Sequence, residues 1–268
     1  MLIFEISISP MKVKEVKVRS ILGKSFIGDY CINPYVGCMH ACIYCYADYY
    51  TRKFSRHQED WGKFVDVKIN APEVLLKEIG KKKKGIVYIS SLTDAYQPLE
   101  AKYKITRKIL EILARYDWPV IIQTKSSLVL RDLDVLKKFS NIEVGFTIIS
   151  LDENETRKLE KFASPPKERV KALKILKENG IKTFVFIGPI MPFTRIKEIE
   201  KIIKETKEFS DEFYFDKLNL KPGLIEKIRK IEGFEEIEED KMKECYNEIK
   251  KGISSLIEKE KIKAKILF

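Results

Sequence analysis

Six strand-length apolar runs, each divided from the next by a helix-length segment, constrain the fold more than any other feature of the chain. They fall at residues 25–33, 86–90, 119–124, 142–149, 181–187 and 212–215, and a shorter run at residues 64–69 reads as a further strand. Helical spacing occupies residues 46–54, 71–80, 103–116, 133–139, 166–179 and 195–209. Strands separated by helices of about ten to fifteen residues pair in parallel, because each crossover returns the chain to the same end of the sheet. Over residues 28–220 the units average about 32 residues, whereas a closed eight-unit barrel takes about 250 in all. The expected fold is therefore α/β, a partial (β/α)6 TIM-type barrel spanning residues 28–220. Residues 1–27 alternate apolar and charged positions, with Val13, Val16 and Val18 against Lys12, Lys14, Lys17 and Arg19, and are expected as short strands or an N-terminal arm. Residues 221–268 are expected as a C-terminal helical extension, with a charged amphipathic helix at about residues 238–261 packed over the barrel or its open edge.

Directly after the first barrel strand comes Cys38-Met39-His40-Ala41-Cys42-Ile43-Tyr44-Cys45, which puts three of the five cysteines within eight residues. In a βα barrel, chemistry gathers just past the C-terminal ends of the strands. Thiolates are soft ligands suited to iron-sulfur clusters or zinc. Structural zinc normally takes four protein ligands, so zinc here requires His40, His57 or a distant Cys as well. Cys42 and Cys45 form one C-x-x-C pair, and no second pair follows. A disulfide framework is not expected of an intracellular chain of this size. A cubane held by Cys38, Cys42 and Cys45 has one iron without a cysteine, and an iron open in this way can chelate a small molecule. Cys31 precedes the cluster of thiols and reads as a buried core thiol, and Cys245, beside Tyr246, as a helix-packing residue.

The C-x3-C-x-aromatic-C loop, set between Asn33-Pro34-Tyr35-Val36-Gly37 and Tyr46-Ala47, resembles the signature of radical S-adenosyl-L-methionine enzymes, in particular the spore photolyase-related branch. The string Thr93-Asp94-Ala95-Tyr96-Gln97-Pro98-Leu99-Glu100, about 50 residues on, is similar to the second signature of that branch. The resemblance implies that Cys38, Cys42 and Cys45 hold a [4Fe-4S] cluster whose free iron binds S-adenosyl-L-methionine, and that an external one-electron donor drives its cleavage to a 5'-deoxyadenosyl radical. It implies that the strand end carrying Ser90, Ser91, Thr93 and Asp94 receives the amino group of that cofactor. It further implies that Lys125 meets the methionyl carboxylate, that Ser150 contacts the ribose, and that Tyr44 and Gly188 lie near the adenine. Relatives that repair spore photoproduct carry a hydrogen-donating cysteine where this chain has Ser90 and Ser91, so Tyr96 is the candidate alternative donor. Where relatives often have Leu-Glu-Pro, this chain has Leu159-Glu160-Lys161.

A net charge of +11 attracts polyanions, and a nucleic-acid substrate for repair or modification is one inference from it. A Lys-, Glu- and Ile-rich composition is equally a mark of proteins from hot environments. A peptide, protein or small metabolite is the alternative substrate class, and a metal-binding protein without turnover is the non-enzymatic alternative. Arg131 and Asp132 read either as a local ion pair or as Arg131 facing an anionic substrate. The run Lys81-Lys82-Lys83-Lys84 lies between a helix and a strand, the barrel face opposite the chemistry, and reads as a solvated turn. With only His40 and His57 available, histidine general-base hydrolysis has little support, and there is no Gly-rich phosphate loop. The first residues do not read as a signal peptide and no uncharged apolar stretch approaches spanning length, so a cytoplasmic location without membrane contact is expected.

Overall fold

The computed structural model describes residues 11–231, 234–235 and 241–268. The strands in chain order are β1 (Lys12–Val16), β2 (Gly23–Lys24), β3 (Tyr30–Ile32), β4 (Tyr35–Val36), β5 (Phe64–Lys68), β6 (Val87–Ile89), β7 (Val120–Thr124), β8 (Ile142–Thr147), β9 (Lys182–Ile190), β10 (Glu212–Lys217) and β11 (Ala264–Ile266). The helices are α1 (Tyr46–Phe54), α2 (Ala71–Ile79), α3 (Glu100–Tyr103), α4 (Ile105–Arg115), α5 (Leu133–Leu136), α6 (Glu153–Leu159), α7 (Pro166–Glu178), α8 (Ile196–Thr206), α9 (Leu224–Arg229) and α10 (Met242–Glu260). The main sheet runs β11-β10-β9-β8-β7-β6-β3-β2, and β3, β6, β7, β8, β9 and β10 are parallel neighbours in sequence order. This is the expected six-stranded partial barrel, and its ladder is open between β2 and β11 among the described residues.

The sheet's outer face makes the core. In β7 the residues Val120, Ile122 and Thr124 are buried while Ile121 and Gln123 are half-buried, the period-two pattern of a strand with one face against helices. Ile32, Ile89, Ile122, Val144, Val185 and Phe215 continue that face and join Leu75, Ile109, Leu110, Leu113, Leu173, Leu176 and Ile203 from the helices in one apolar cluster. The inner face is polar where Tyr88 donates to Gln123 Oε1 (2.5 Å) and Gln123 Nε2 donates to Thr147 Oγ1 (3.0 Å). That inner face lines the lumen.

Local chemistry explains where elements start and stop. Pro72 sits in the first turn of α2 and Pro166 in that of α7, where a missing N–H breaks no helical bond. Asp152 caps α6 by accepting the amides of Asn154 (2.8 Å) and Glu155 (3.0 Å). The helix expected over residues 103–116 is split into α3 and α4 at Lys104, whose φ is +53°. The helix expected over residues 133–139 is one short turn, α5, preceded by the 3-10 segment Ser127–Asp132.

Of the two readings of the N-terminal segment, short strands or an arm, the described part takes the first, while the C-terminal extension is not purely helical. Residues 11–27 supply two edge strands, β1 parallel to β5 and β2 antiparallel to β3, and residues 1–10 of the expected arm lie outside the described residues. After α10 the chain turns back as β11 and extends the parallel sheet beside β10. Part of the expected start of the last helix, residues 238–240, is outside the described residues; α10 itself packs on α8, with Gly252 against Ile196. The four-lysine run lies between α2 and β6, the end of the sheet opposite the cysteine loop, where Lys84 pairs with Asp117 at 3.0 Å. Among the described residues no helix is long and apolar enough to cross a membrane.

Candidate active site

The cysteine loop leaves the sheet through β4 and turns at Gly37, whose φ is +85°. A side chain there would put its Cβ 2.4 Å from the Phe64 carbonyl oxygen, so only glycine fits. Ala41 also adopts a positive φ (+53°), and Gly62 is bare opposite it, because a Cβ on Gly62 would lie 2.3 Å from that of Ala41. Inside the loop, the Ala41 amide donates to Cys38 O (3.3 Å) and the Cys45 amide to Cys42 O (3.2 Å). Cys38 and Cys42 are buried, Cys45 is half-buried, and all three are free thiols. Burial raises Cys42 well above the ordinary thiol range. Burial, reinforced by Cys38, pushes Cys45 up to about 12.

The second motif grips this loop by its backbone. Thr93 Oγ1 donates to Gly37 O (2.6 Å), Gln97 Nε2 donates to the same oxygen (3.2 Å), and Gln97 Oε1 accepts the Met39 amide (3.0 Å). Thr93, expected against the cofactor's amino group, thus spends its hydroxyl proton on the loop. Asp94 is buried and fully engaged: Oδ1 accepts Thr124 Oγ1 (2.7 Å) and the Tyr96 amide (2.9 Å), and Oδ2 accepts the Lys125 amide (2.9 Å). His40 Nδ1 lies 3.4 Å from Asp94 Oδ2, an ion-pair distance without hydrogen-bond geometry. Burial works against charge on both, yet Asp94 and Cys38 bring His40 up to about 9, and His40 and Lys125 hold Asp94 well below the carboxylate range.

Several expected residues stand where a ligand could meet them. Ser90 ends β6 with a φ of +72°, and its buried hydroxyl has no hydrogen-bond partner among the described residues. Lys125 projects its ammonium 5.8 Å from the centre of the Tyr44 ring, with no hydrogen bond or ion pair of its own among the described residues. The charges of Cys42, Glu160, Asp94 and Cys45 outweigh burial and raise its pKa. Ser91 is more committed, since its amide donates to Asn33 Oδ1 (3.0 Å), its hydroxyl accepts the Cys31 thiol (3.2 Å) and its carbonyl accepts Tyr46 (2.6 Å). Cys31 therefore faces the lumen and is tied to the site's wall. Ser150 donates to Glu155 Oε2 (2.8 Å) at the start of α6, and the space a side chain on Gly188 would take is occupied by the Phe186 ring, 2.4 Å from an ideal Cβ.

One expectation is corrected. Tyr96 is fully buried, with Asp132 and Glu100 raising its phenol's pKa after burial and Arg131 beside them, so in this conformation it offers a substrate no exposed surface. Of the two readings of Arg131 the structure shows the local ion pair: it donates to both oxygens of Asp132 (2.8 Å each), and also to Glu100 Oε1 (2.8 Å) and Glu100 O (2.7 Å).

Sequence reasoning did not assign Glu160 or Arg169. Neither side chain has exposed surface, and they form a buried pair in which Arg169 also donates to Thr147 O (2.9 Å) and Ser164 O (2.7 Å). Tyr44 donates its hydroxyl to Glu160. The backbone joins the same two segments, Ile43 N–H to Leu159 O (2.9 Å) and Phe162 N–H to His40 O (3.1 Å). The only signal in the sequence was the Leu159-Glu160-Lys161 string.

The donor set suits a thiolate-held cluster and not a single ion. Among the described residues no group of three or more His, Cys, Asp or Glu side chains converges as one metal ion requires. A cubane takes each thiolate on a different iron, so its ligands stand around a box rather than a point. His57 is held between Glu59 and Asp66 at 3.1 Å each and stacks on Phe64, which removes it as a fourth ligand. Three thiols, two of them buried, with an unpaired lysine and an orphaned serine hydroxyl on the neighbouring strand ends, fit a thiolate-held cluster with a small zwitterionic ligand.

An open parallel half-barrel with three loop cysteines past its first strand defines a class, that of radical enzymes built on a cysteine-held cluster. The profile of the Radical SAM superfamily matches residues 32–206, and the chain belongs to that superfamily. Its members are enzymes that use a [4Fe-4S] cluster and S-adenosyl-L-methionine and draw on an external electron donor. The chain is 41% identical over 215 residues to the uncharacterised protein MJ0683 of Methanocaldococcus jannaschii, covering 80% of each. It is 30% identical over 278 residues to ORF301 of Acidianus two-tailed virus, covering 97% of this chain and 91% of that one. Its fold matches a spore photoproduct lyase variant with bound AdoMet and dinucleoside spore photoproduct, at a TM-score of 0.73 and 16% identity, over 96% of this chain and 81% of that one.

Proposed function

We propose that this radical SAM enzyme abstracts hydrogen from a nucleic acid, in a repair or modification reaction, with Cys38, Cys42 and Cys45 as the cluster ligands. The cluster, when bound, supplies the electron that cleaves the sulfonium of S-adenosyl-L-methionine and so yields a 5'-deoxyadenosyl radical. The chain's own residues orient and shield. Lys125 holds the methionyl carboxylate, and the Ser90 hydroxyl supplies a hydrogen bond to the cofactor. Asp94 positions both by fixing the backbone of Lys125 and the turn after β6. Ser150 and Gly188 stand at the ends of the next two strands, on the side proposed for the ribose and adenine. The proposed location is the cytoplasm, which suits an oxygen-sensitive cluster.

One observation carries the substrate class. Helix α1 begins at the last cysteine and presents an exposed aromatic ledge: Phe54 is 61% and Tyr50 37% exposed. Cations stand over it, Lys53 Nζ at 4.4 Å from the Tyr49 ring centre and Lys221 Nζ at 5.0 Å from that of Tyr50. Aromatic faces interleaved with lysines suit a strand of nucleic acid, stacking its bases and neutralising its phosphates. After anaerobic reconstitution and reduction, 5'-deoxyadenosine is expected, and deuterium from labelled oligonucleotides is expected in it. Label arriving only from a peptide or metabolite sinks the nucleic-acid reading. A reduced, iron-loaded protein that never cleaves the cofactor sinks the whole assignment.

A further inference from the structure

The cysteine loop has an outward side. Met39, Ala41 and Ile43 are part-exposed, while Cys38, His40, Cys42 and Tyr44, which alternate with them, are buried. A short stretch of chain backs the loop. Residues 159–162 run antiparallel to it, with Ile43 N–H on Leu159 O (2.9 Å), a bridge between Cys42 and Glu160, and Phe162 N–H on His40 O (3.1 Å). From the other flank Gly62 comes against Ala41. Phe162 keeps half of its surface in solvent (50%), although its amide bonds the peptide midway between Cys38 and Cys42.

Positive charge stands at the edge of this apolar centre. Lys161, where relatives often have proline, holds its ammonium 5.3 Å from the Phe162 ring centre and has no carboxylate partner among the described residues. Arg157 donates to Lys161 O (3.1 Å) and lies 3.7 Å from Glu153, and Lys63, next to Gly62, lies 3.2 Å from Asp60. Those two exposed pairs are weak and cancel in charge, which leaves Lys161 uncompensated in a chain of net charge +11. An apolar centre with a charged rim is the anatomy of a docking face, and rim charge sets the rate of encounter more than its strength. Position selects the occupant. A substrate seated here would have the ligand loop between itself and the Lys125 and Ser90 strand ends, and a hydrogen atom cannot be taken through that wall. An electron can cross it.

We infer that the external electron donor docks on this face, as an acidic one-electron carrier protein whose redox centre comes to rest over Phe162 and Lys161. One electron leaves the reduced carrier and enters the cluster, so the carrier is oxidised by one and the cluster reduced by one, with no bond made or broken. Redox encounters of this kind bury little surface, so a small patch suffices. This docking presupposes that the three cysteines hold the cluster, as proposed above, and applies to any substrate class.

The test uses the anaerobically reconstituted full chain, with a reduced plant-type [2Fe-2S] ferredoxin as the acidic carrier and dithionite as a small reductant, and follows the reduced [4Fe-4S] cluster by freeze-quench EPR. In wild type the ferredoxin rate is expected to fall with added salt. Lys161→Glu is expected to slow it about tenfold and to flatten its salt dependence. Phe162→Ala is expected to weaken binding of the oxidised ferredoxin about fivefold, read by calorimetry. Dithionite is expected to reduce both variants at close to the wild-type rate. Wild-type ferredoxin rates and binding in both variants, or a loss of rate that dithionite shares, overturn the docking face. A loaded chain that dithionite itself cannot reduce overturns it together with the cluster assignment.

Discussion

Gln97 brackets the first cluster cysteine by accepting the Met39 amide at 3.0 Å while donating to the Gly37 carbonyl at 3.2 Å. One buried amide thus fixes the backbone on both sides of Cys38. Gln97→Ala leaves a buried donor unpaired and an acceptor with one partner fewer, at a cost of about 1 to 3 kcal/mol. The expected outcome is a folded protein with less iron and sulfide per chain and weaker charge-transfer absorption after reconstitution. Full cluster loading in this variant would show that the bracket is dispensable.

Gly62 and Ala41 meet where a second side chain has no room, with an ideal Cβ on Gly62 only 2.3 Å from that of Ala41 and a φ of +89° at Gly62 itself. Gly62→Ala therefore forces both a left-handed alanine and a displaced cysteine loop. Cluster incorporation is expected to fall more steeply than global stability, read by iron content against the denaturant midpoint. Ala41→Gly, which relaxes the facing residue, is expected to restore part of the loss.

The sheet was legible because each of its parallel strands is an almost continuous apolar run, buried on its outer face and backed by helices. β11 was not, since Ala264, Lys265 and Ile266 are too few to show a period, and the strand exists because β10 offers a free edge. Nor was the break at Lys104, whose left-handed backbone no residue type announces. The three cysteines were legible because their grouping is local. The work of Thr93 and Gln97 was hidden because it depends on contacts reaching back 56 and 60 residues to Gly37, which only the folded chain brings together. Arg169 carried no motif at all, and its meaning comes from burial and from the partners that the fold brings to it, Glu160, Thr147 and Ser164.

Glu160 and Arg169 form a fully buried pair that ties the cysteine loop, through Tyr44, to the segment after α6. Removing one member strands the other charge, and breaking such a pair costs about 3 to 5 kcal/mol. Glu160→Ala is expected to lower the unfolding free energy by that amount in denaturant titration. Tyr44→Phe removes only the hydroxyl and is expected to cost about 1 kcal/mol. A Glu160→Ala variant as stable as wild type would mean that the pair's desolvation penalty cancels its attraction.

Arg131 is the residue whose surroundings most sharply separate stability from substrate binding. Its guanidinium fills its donors with Glu100 and Asp132, both without exposed side-chain surface, and Arg107 approaches Asp132 from the other side at 3.0 Å. Tyr35 donates to the same Glu100, so the cluster of charges sits between the β4 strand and the helices and not at the lumen's mouth. Arg131→Ala is therefore expected to destabilise the fold, though by less than the about 3 to 5 kcal/mol of breaking a fully buried pair, because Glu100 loses its cation while Asp132 keeps Arg107. At a temperature where the variant remains folded, the slope of log affinity against log salt for an oligonucleotide is expected to stay as in wild type. Lys53→Ala and Lys221→Ala, on the aromatic ledge, are each expected to leave stability unchanged and to reduce that slope by about one. If instead Arg131→Ala flattens the slope while the ledge variants do not, the phosphates lie over the Arg131 side of the barrel and the ledge is only a solvated surface.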